Sequence, residues 1–348
     1  MVLGGGIIGL SIARRLAGDG WSVTILERAE PGREASWAAA GMLAPHLEFD
    51  PRSPLFAPAL RSNALYPAFA REIEEETGLG IDLRLDGVLS PIEEARMAES
   101  LPDGARRVTG ADLRTFEPAL GHHVEAALYF PEDGSVDNRA LVTALLASAK
   151  MRGVCIKSRS NAEEVLAPDG AVLGVRARSE AEGDHVIECE VAVNCAGAWA
   201  AEPRVPGVET RMRPVKGQML LLELPRSGPP GPRFTIHSHE AYVVPRTNGR
   251  VIVGTTVEDR GFDKTVEAGA VRALLDGAIR LVPSLATARL ADAWAGLRPL
   301  GAGVLPSLGP VGPAGYYLAV GHYRNGILLA PLTALVLSEM IAGREASF

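Results

Sequence analysis

The stretch MVLGGGIIGLSIARRLAGDGWSVTILE, residues 1–27, decides the fold of this protein. A short apolar segment leads into the glycine-rich run 4–9, and an amphipathic helical pattern follows it until the glycines of 18–20. The β-branched run 21–26 then predicts a second strand. Strand, glycine turn, helix and strand in this order are typical of a βαβ unit that binds a dinucleotide.

Four residues of this stretch have defined physical roles. Gly4 permits a tight turn, Gly6 lets the main chain approach a pyrophosphate, and Gly9 lets the helix pack close to the strand. The helix N-terminus would then offer free N–H groups and its positive dipole end to the phosphates. Glu27 lies 18 residues after Gly9, where a carboxylate accepts hydrogen bonds from ribose hydroxyls. The stretch therefore predicts a dinucleotide site, although the glycines alone do not distinguish FAD from NAD.

Composition narrows the class of protein. A length of 348 residues predicts two domains, and a formal charge of −7 argues against nucleic acid or an anionic membrane as partner. The histidines and cysteines show no metal-ligand spacing, so we expect no metal site. The longest apolar stretch, 327–337, contains a proline and is too short to span a bilayer, so we expect no integral membrane segment.

Cysteine usage points to the compartment. Cys155, Cys189 and Cys195 are odd in number and lie in apolar stretches. We interpret them as reduced core residues of a cytoplasmic protein.

Segment patterns predict the fold class and its division into domains. Strand-like and helix-like segments alternate at both ends of the chain, whereas the middle resembles an antiparallel sheet, and 186–193 reads as one strand. We expect an α/β protein with a Rossmann-like dinucleotide-binding domain and an inserted α+β substrate domain of mixed, mainly antiparallel sheet. The first domain would comprise residues 1–78, 135–206 and 290–348, and the second residues 79–134 and 207–289.

Six motifs spread over nearly the whole chain carry a family resemblance. They are GGGIIGLSIARRLA (4–17), ASWAAAGMLAP (35–45), RPVKGQM (213–219), YVVPR (242–246), WAGLRP (294–299) and GHYRNGILLAP (321–331). The first occurs in many flavoproteins, while the second and the last are specific to one branch. Together they resemble the flavin amine oxidases, the family that includes D-amino acid oxidase, sarcosine oxidase and glycine oxidase.

The resemblance implies a non-covalent FAD. The segment 301–309 holds no cysteine, whereas covalent sarcosine oxidases carry one there. The residues that the family pattern assigns to the cofactor are Gly4, Gly6, Ile7, Ile8, Gly9, Glu27, Arg28, Ala35, Ser36, Ala40, Gly41, Met42, Ala162, His322, Tyr323, Arg324, Asn325, Gly326, Ile327 and Leu328.

The resemblance also implies a substrate site. Arg298 and Arg324 would bind a carboxylate, which the planar fork of a guanidinium holds through two hydrogen bonds, and Arg324 ranks first. Tyr242 would donate to the same carboxylate or close the pocket, and Met42 would line it. Tyr242, Arg298 and Arg324 are thus the expected catalytic residues, and His239 is expected at the rim.

The implied reaction is the oxidative deamination of glycine, sarcosine or small D-amino acids to the imine and glyoxylate, with release of ammonia and hydrogen peroxide. Molecular oxygen would reoxidise the flavin, and a thiazole synthase of thiamine biosynthesis could receive the imine. We expect a homo-oligomer. One alternative is a D-amino acid dehydrogenase that passes electrons to a membrane quinone. Another is a structural or tRNA-modifying flavoprotein subunit, against which Arg298 and Arg324 argue.

Overall fold

The computed structural model describes residues 1–92, 100–303 and 305–346. Its helices are α1 (Ile7–Gly18), α2 (Ala35–Ala38), α3 (Pro45–Glu48), α4 (Phe56–Thr77), α5 (Gly110–Phe116), α6 (Asn138–Met151), α7 (Ala268–Leu281) and α8 (Gly326–Ile341). Single 3-10 turns lie at Gly197–Trp199 and Pro283–Thr287. Within these described ranges, no helix is both long enough and apolar enough to cross a membrane.

The glycine-rich turn belongs to a sheet that is parallel except at one edge. Its strands are β1 (Val2–Leu3), β2 (Thr24–Glu27), β9 (Cys155–Ser158), β13 (Ala192–Asn194), β19 (Ser307–Pro310) and β20 (Tyr316–Val320). They lie in the order β19-β20-β13-β1-β2-β9, and only β19 runs antiparallel to its neighbour. Helices α1, α4, α6 and α8 pack together in an aliphatic core. This core fixes the helix that follows the glycine turn.

A second large sheet forms the other half of the molecule. Its strands are β5 (Val88–Ile92), β6 (Arg106–Thr109), β7 (Ala126–Phe130), β14 (Met212–Glu223), β15 (Thr235–His237), β16 (Tyr242–Pro245), β17 (Arg250–Gly254) and β18 (Arg289–Gly301). They lie in the order β18-β14-β17-β16-β15-β5-β7-β6, and all neighbours are antiparallel except β15 and β5. Helix α7 packs on this sheet around Leu274 and Leu281 in a separate aliphatic core.

Two small sheets complete the fold. One has the order β3-β8-β4, from β3 (Met42–Leu43), β8 (Gly134–Val136) and β4 (Leu83–Arg84). The other is the antiparallel set β10 (Ser160–Leu166), β11 (Gly174–Ser179) and β12 (Gly183–Glu188). The expected α/β class, with mixed and mainly antiparallel sheet in its second part, is confirmed.

The structure corrects one expected strand. The single strand expected over 186–193 is wrong: β12 pairs with β11, and the chain then crosses to another sheet, where β13 pairs with β1. The division into two domains stays a prediction. Strand β18, which that division assigns to the first domain, pairs with β14 of the second large sheet.

The cysteines are free but are not all core residues. Cys195 is buried and Cys189 is half-buried, whereas Cys155 is exposed, so the expectation for it is wrong. Cys155 begins β9, which lies at the edge of its sheet, and an edge strand leaves part of its surface to solvent.

Candidate active site

A long cavity runs between the two large sheets. It encloses about 1690 Å³ of space, open solvent at its mouth included. The carboxyl ends of β1, β2 and β20 contribute one wall, and β14, β16 and β18 contribute the other. The cavity therefore joins the glycine turn to the second large sheet.

The glycine turn that follows β1 forms part of the first wall. Gly4 has a φ of +105°, and a Cβ added there would lie 2.6 Å from the carbonyl oxygen of Cys195. A Cβ at Gly9 would lie only 2.0 Å from the carbonyl oxygen of Gly4. A side chain at Gly9 would therefore push α1 away from the turn after β1, and one at Gly4 would collide with the main chain that follows β13.

Glu27 is held rigidly beside this turn. Its Oε2 accepts the N–H of Gly5 at 2.8 Å, and its Oε1 accepts the N–H of Ala29 at 2.9 Å. Burial raises the pKa of the Glu27 carboxyl, and the two backbone N–H groups oppose that shift. Each oxygen keeps a second lone pair, so a pair of ribose hydroxyls fits here.

Replacing Glu27 tests this fit. Glu27→Ala removes the acceptors for ribose, and hydrogen bonds to a charged group contribute about 1.5–3 kcal/mol. We expect the Kd for FAD to rise about tenfold or more in equilibrium dialysis of the apoprotein. Glu202→Ala is the control: it removes a carboxylate of the same cavity wall that pairs instead with exposed Arg28. An unchanged FAD affinity in Glu27→Ala would exclude Glu27 from the cofactor site.

The segment after Glu27 is fixed by side chains that face its main chain. The Ser36 hydroxyl accepts the N–H of Ile7 at 2.8 Å, and the Asn138 amide donates to the Ser36 carbonyl at 2.8 Å. Gly41 has a φ of +73°, and a Cβ there would lie 2.0 Å from the Val136 carbonyl oxygen. These contacts bring the small residues of 35–41 to the cavity wall, where main-chain groups can approach a ring system.

The segment 321–326 forms the turn from β20 into α8. The N–H of Tyr323 donates to the Pro299 carbonyl at 3.0 Å, and Tyr323 has a φ of +50°, which is unusual for a residue with a side chain. Asn325 precedes the first residue of α8. The positive end of this helix dipole consequently faces the cavity.

His322 lies in this turn and is neutral at ordinary pH. Its Nε2 lies 3.0 Å from the Thr333 hydroxyl, and burial lowers the pKa of His322 to about 4 from its usual 6.5. As the pH falls from 6.5 toward 4, the His322 ring of the unfolded chain binds a proton, whereas the buried ring of the folded chain does not. Stability is therefore complete above pH 6.5 and decreases as the pH falls toward the folded pKa.

This linkage can be measured. Between pH 7 and pH 5, His322 should lower the free energy of unfolding by about 2 kcal/mol, since one pKa unit corresponds to about 1.4 kcal/mol. His322→Gln should remove that part of the loss in guanidinium denaturation at the two pH values. An equal loss in the variant would show that other groups cause it.

Tyr242 and Arg298 define the wall opposite the turn. The buried Tyr242 hydroxyl lies 3.1 Å from the Met219 sulfur. Burial raises the pKa of Tyr242, and Arg298 and Arg324 oppose that shift while Glu48 adds to it. The phenol is thus a hydrogen-bond donor among three charged side chains.

Arg298 is oriented by the edge of its own sheet. Its Nη1 donates to the carbonyls of Lys216 at 3.3 Å and Thr256 at 3.2 Å, and its Nη2 donates to the Thr255 hydroxyl at 2.7 Å. The guanidinium lies over Gly217, where a Cβ would come within 2.3 Å of Nη2. These contacts use three of the five N–H donors of an arginine. Two donors therefore stay available for a ligand carboxylate.

Arg324 has a different environment. Its Nη2 donates to Glu48 Oε1 at 3.1 Å. Burial alone would lower the pKa of Arg324, but the Glu48 carboxylate raises it. This arginine is thus paired with a carboxylate of the protein, whereas the contacts of Arg298 are carbonyls and a hydroxyl. His239, expected at the rim, is not among the residues that line the cavity; its side chain is 79% exposed and lies beside Glu240.

The cavity brings most of the expected residues together. Leu328 does not line it: it packs in the aliphatic core around α1, since it faces away from the turn. Gly9 contributes close packing rather than a cavity surface. The expected residues that line the cavity are Gly4, Gly6, Ile7, Ile8, Glu27, Arg28, Ala35, Ser36, Ala40, Gly41, Met42, Ala162, Tyr242, Arg298, His322, Tyr323, Arg324, Asn325, Gly326 and Ile327.

Sequence reasoning missed several residues of the cavity, and three of them shape the surroundings of the two arginines. Glu48 pairs with Arg324 across 276 positions of chain, and Thr255 orients Arg298 from a neighbouring strand. Gly217 supplies the space for the guanidinium. Only Gly217 had a sequence signal, its place in RPVKGQM, because the other two depend on contacts between distant segments. Among the described residues, no cluster of His, Cys, Asp or Glu could hold a metal ion.

The parallel sheet, its glycine turn and the long cavity define an oxidoreductase of the dinucleotide-binding flavoprotein class. The chain belongs to the FAD-dependent oxidoreductase family, whose profile matches residues 1–340. The wall geometry fits this cofactor, because Gly4 and Gly6 bring the main chain of the turn to the cavity and Glu27 holds acceptors for a ribose.

Named relatives extend this assignment. The chain is 35% identical to the bifunctional protein ThiO/ThiG of Trichormus variabilis over 99% of its own length and 53% of that protein, so it spans about half of this relative. It is 34% identical to glycine oxidase of Geobacillus kaustophilus, over 100% of the chain and 93% of the relative. The crystal structure of glycine oxidase from Geobacillus kaustophilus superposes with a TM-score of 0.90 at 32% identity, covering 100% of this chain and 95% of that one.

Proposed function

We propose that this protein oxidises glycine, and also sarcosine or small D-amino acids, to the corresponding imine with a non-covalent FAD. The observation that carries the proposal is the arrangement around Arg298: its guanidinium keeps two unused N–H donors, and it lines the cavity together with Tyr242 and the small residues of 40–41. This set recognises a small carboxylate. The similarity to glycine oxidases over nearly their full length supports the same substrate.

Each side chain has a distinct task in this proposal. Arg298 binds the carboxylate through its fork, and Tyr242 donates a further hydrogen bond and closes the pocket. Met42 and Met219 shield the substrate from water. Bound FAD supplies the two-electron acceptor that this set of side chains lacks.

The protein contributes orientation rather than acid–base chemistry. Fixing the carboxylate would orient the α-carbon toward the bound FAD, and such positioning can account for a large part of a rate enhancement. The substrate loses two electrons and two protons at its C–N bond. Water then hydrolyses the imine to glyoxylate and ammonia. Two electrons reduce molecular oxygen to hydrogen peroxide, which balances the reaction.

Anaerobic bleaching of the flavin absorption tests the substrate. Glycine, sarcosine, D-alanine and D-proline are mixed separately with the FAD-loaded protein, and rapid bleaching by glycine is expected. Failure of all four compounds would contradict the proposal. Bleaching by D-alanine and D-proline alone would favour a D-amino acid oxidising enzyme of the same fold.

The electron acceptor requires a second measurement. A D-amino acid dehydrogenase would pass its electrons to a quinone instead of oxygen. We expect oxygen consumption with glycine in an oxygen electrode, with hydrogen peroxide formed in equal amount. Turnover that needs an added quinone would establish the alternative.

The product has a proposed destination. We propose that a thiazole synthase receives the imine before water does. Support comes from the bifunctional ThiO/ThiG relative, in which a region similar to this chain makes up about half of a longer polypeptide. We further propose that the protein is cytoplasmic and forms a homo-oligomer.

A further inference from the structure

The ion pair of Glu48 and Arg324 is a feature of the cavity that the proposed reaction does not use. Both side chains line the cavity, and Glu48 is 15% exposed while Arg324 is 33% exposed. Their charges act on the Tyr242 phenol together with that of Arg298, so the three charged groups lie in one neighbourhood. The Glu48 carboxylate and the guanidiniums of Arg298 and Arg324 therefore lie around the proposed substrate site.

The main chain at Glu48 is anchored through the helix that precedes it. It ends the one-turn helix α3, and the buried Asp133 carboxylate accepts three hydrogen bonds from that helix: from the N–H of His46 at 3.1 Å, the His46 ring at 2.9 Å and the N–H of Leu47 at 2.9 Å. These bonds fix the main chain that leads to Glu48, and thereby the side from which its carboxylate reaches Arg324.

The charge balance follows from these contacts. Glu48 neutralises Arg324, which leaves Arg298 as the one cation of this neighbourhood without an acidic partner among the described residues. A ligand with one carboxylate matches that single charge. A second carboxylate would need Arg324, and its transfer would leave Glu48 without a partner in a partly dry cavity, which is unfavourable.

We infer that Glu48 is a specificity-determining residue that reserves Arg324 and thereby restricts the cavity to substrates with a single carboxylate. This inference rests on the proposed function, since it assumes that Arg298 anchors the first carboxylate. Amino acids with a second acidic group, such as D-aspartate or iminodiacetate, are the class that Glu48 excludes.

Ligand binding to the FAD-loaded protein tests this inference without turnover. Glycolate carries one carboxylate, and malonate and succinate carry two at different spacings. Their Kd values are read from the change in flavin absorption on titration. In the wild-type protein, both dicarboxylates should bind more weakly than glycolate. In Glu48→Gln, their Kd values should fall about tenfold or more, since a released guanidinium gains a charge-assisted hydrogen bond, whereas that of glycolate should change little.

Two variants separate the role of Glu48 from a general charge effect. Glu240→Gln makes the same chemical change two residues before Tyr242, in a carboxylate that pairs with exposed Arg280 and does not line the cavity. It should leave all three Kd values unchanged. The double variant Glu48→Gln/Arg324→Gln should lose the gain for dicarboxylates, because the gain requires a released Arg324.

Three results would overturn the inference: wild-type protein that binds succinate more tightly than glycolate, unchanged dicarboxylate binding in Glu48→Gln, or a gain that survives in the double variant. The first needs no variant, so it decides the question even if Glu48→Gln does not retain FAD. Absence of glycolate binding in the wild type would instead contradict the proposed carboxylate site. Glycine bleaching of the wild type tests the reaction separately.

Discussion

Replacing Arg298 by alanine should lower kcat/KM for glycine by about a hundredfold or more. Three hydrogen bonds fix the orientation of Arg298, which lines the cavity and keeps two N–H donors unused. Loss of one partner from a desolvated pair costs about 3–5 kcal/mol, because the substrate carboxylate is then left without a counter-charge. Arg298→Lys should restore little, since an ammonium lacks the planar fork.

A matched substrate distinguishes anchoring from folding. Ethylamine lacks a carboxylate, so its poor turnover should be nearly the same in Arg298→Ala and in the wild type. Equal losses for glycine and ethylamine would indicate that Arg298 supports the sheet or the flavin instead. The FAD content of the purified variant, measured by absorption, should be unchanged.

Gly9→Ala should cause the largest loss of stability and of FAD. The new Cβ would lie 2.0 Å from the Gly4 carbonyl oxygen, which is backbone and cannot rotate away. Overpacking of this kind costs about 1–3 kcal/mol and at times more. Since the displaced helix start also faces the cofactor, we expect a lower midpoint of thermal unfolding and mostly FAD-free protein.

Gly269→Ala is the control for this prediction. Gly269 is also a helical glycine, in the first turn of α7, and an added Cβ there meets no atom within 4 Å. This substitution should stabilise the protein slightly, by up to about 1 kcal/mol, because alanine has the higher helix propensity. Equal midpoints of thermal unfolding for Gly9→Ala and the wild type would contradict the prediction, since they would show that the packing of α1 on β1 accommodates the added Cβ.

Local patterns predicted a large part of the fold. The glycine turn leads into α1, and strand β2 follows that helix, as expected. These elements follow from apolar periodicity and glycine positions, which depend only on near neighbours in the chain. The strand expected over 186–193 was wrong because pairing partners, rather than composition, decide where a strand ends.

The same distinction between local patterns and contacts of distant segments applies to the candidate site. The residue types at Tyr242, Arg298 and Arg324 could be selected from motifs. Their order of importance could not, because it depends on what each guanidinium already contacts: Thr255 and two carbonyls for Arg298, and Glu48 for Arg324.

The sequence by itself determined the dinucleotide fingerprint, the acid at the end of β2 and the membership of a flavin-dependent family. Those features are local, since they require certain residues at fixed short spacings. Only the tertiary structure decided that Glu48 neutralises Arg324, that Gly217 makes room for Arg298 and that Cys155 is exposed. Such contacts join segments far apart in the chain, and their pairing is set by how the sheets and helices pack rather than by any pattern along the sequence.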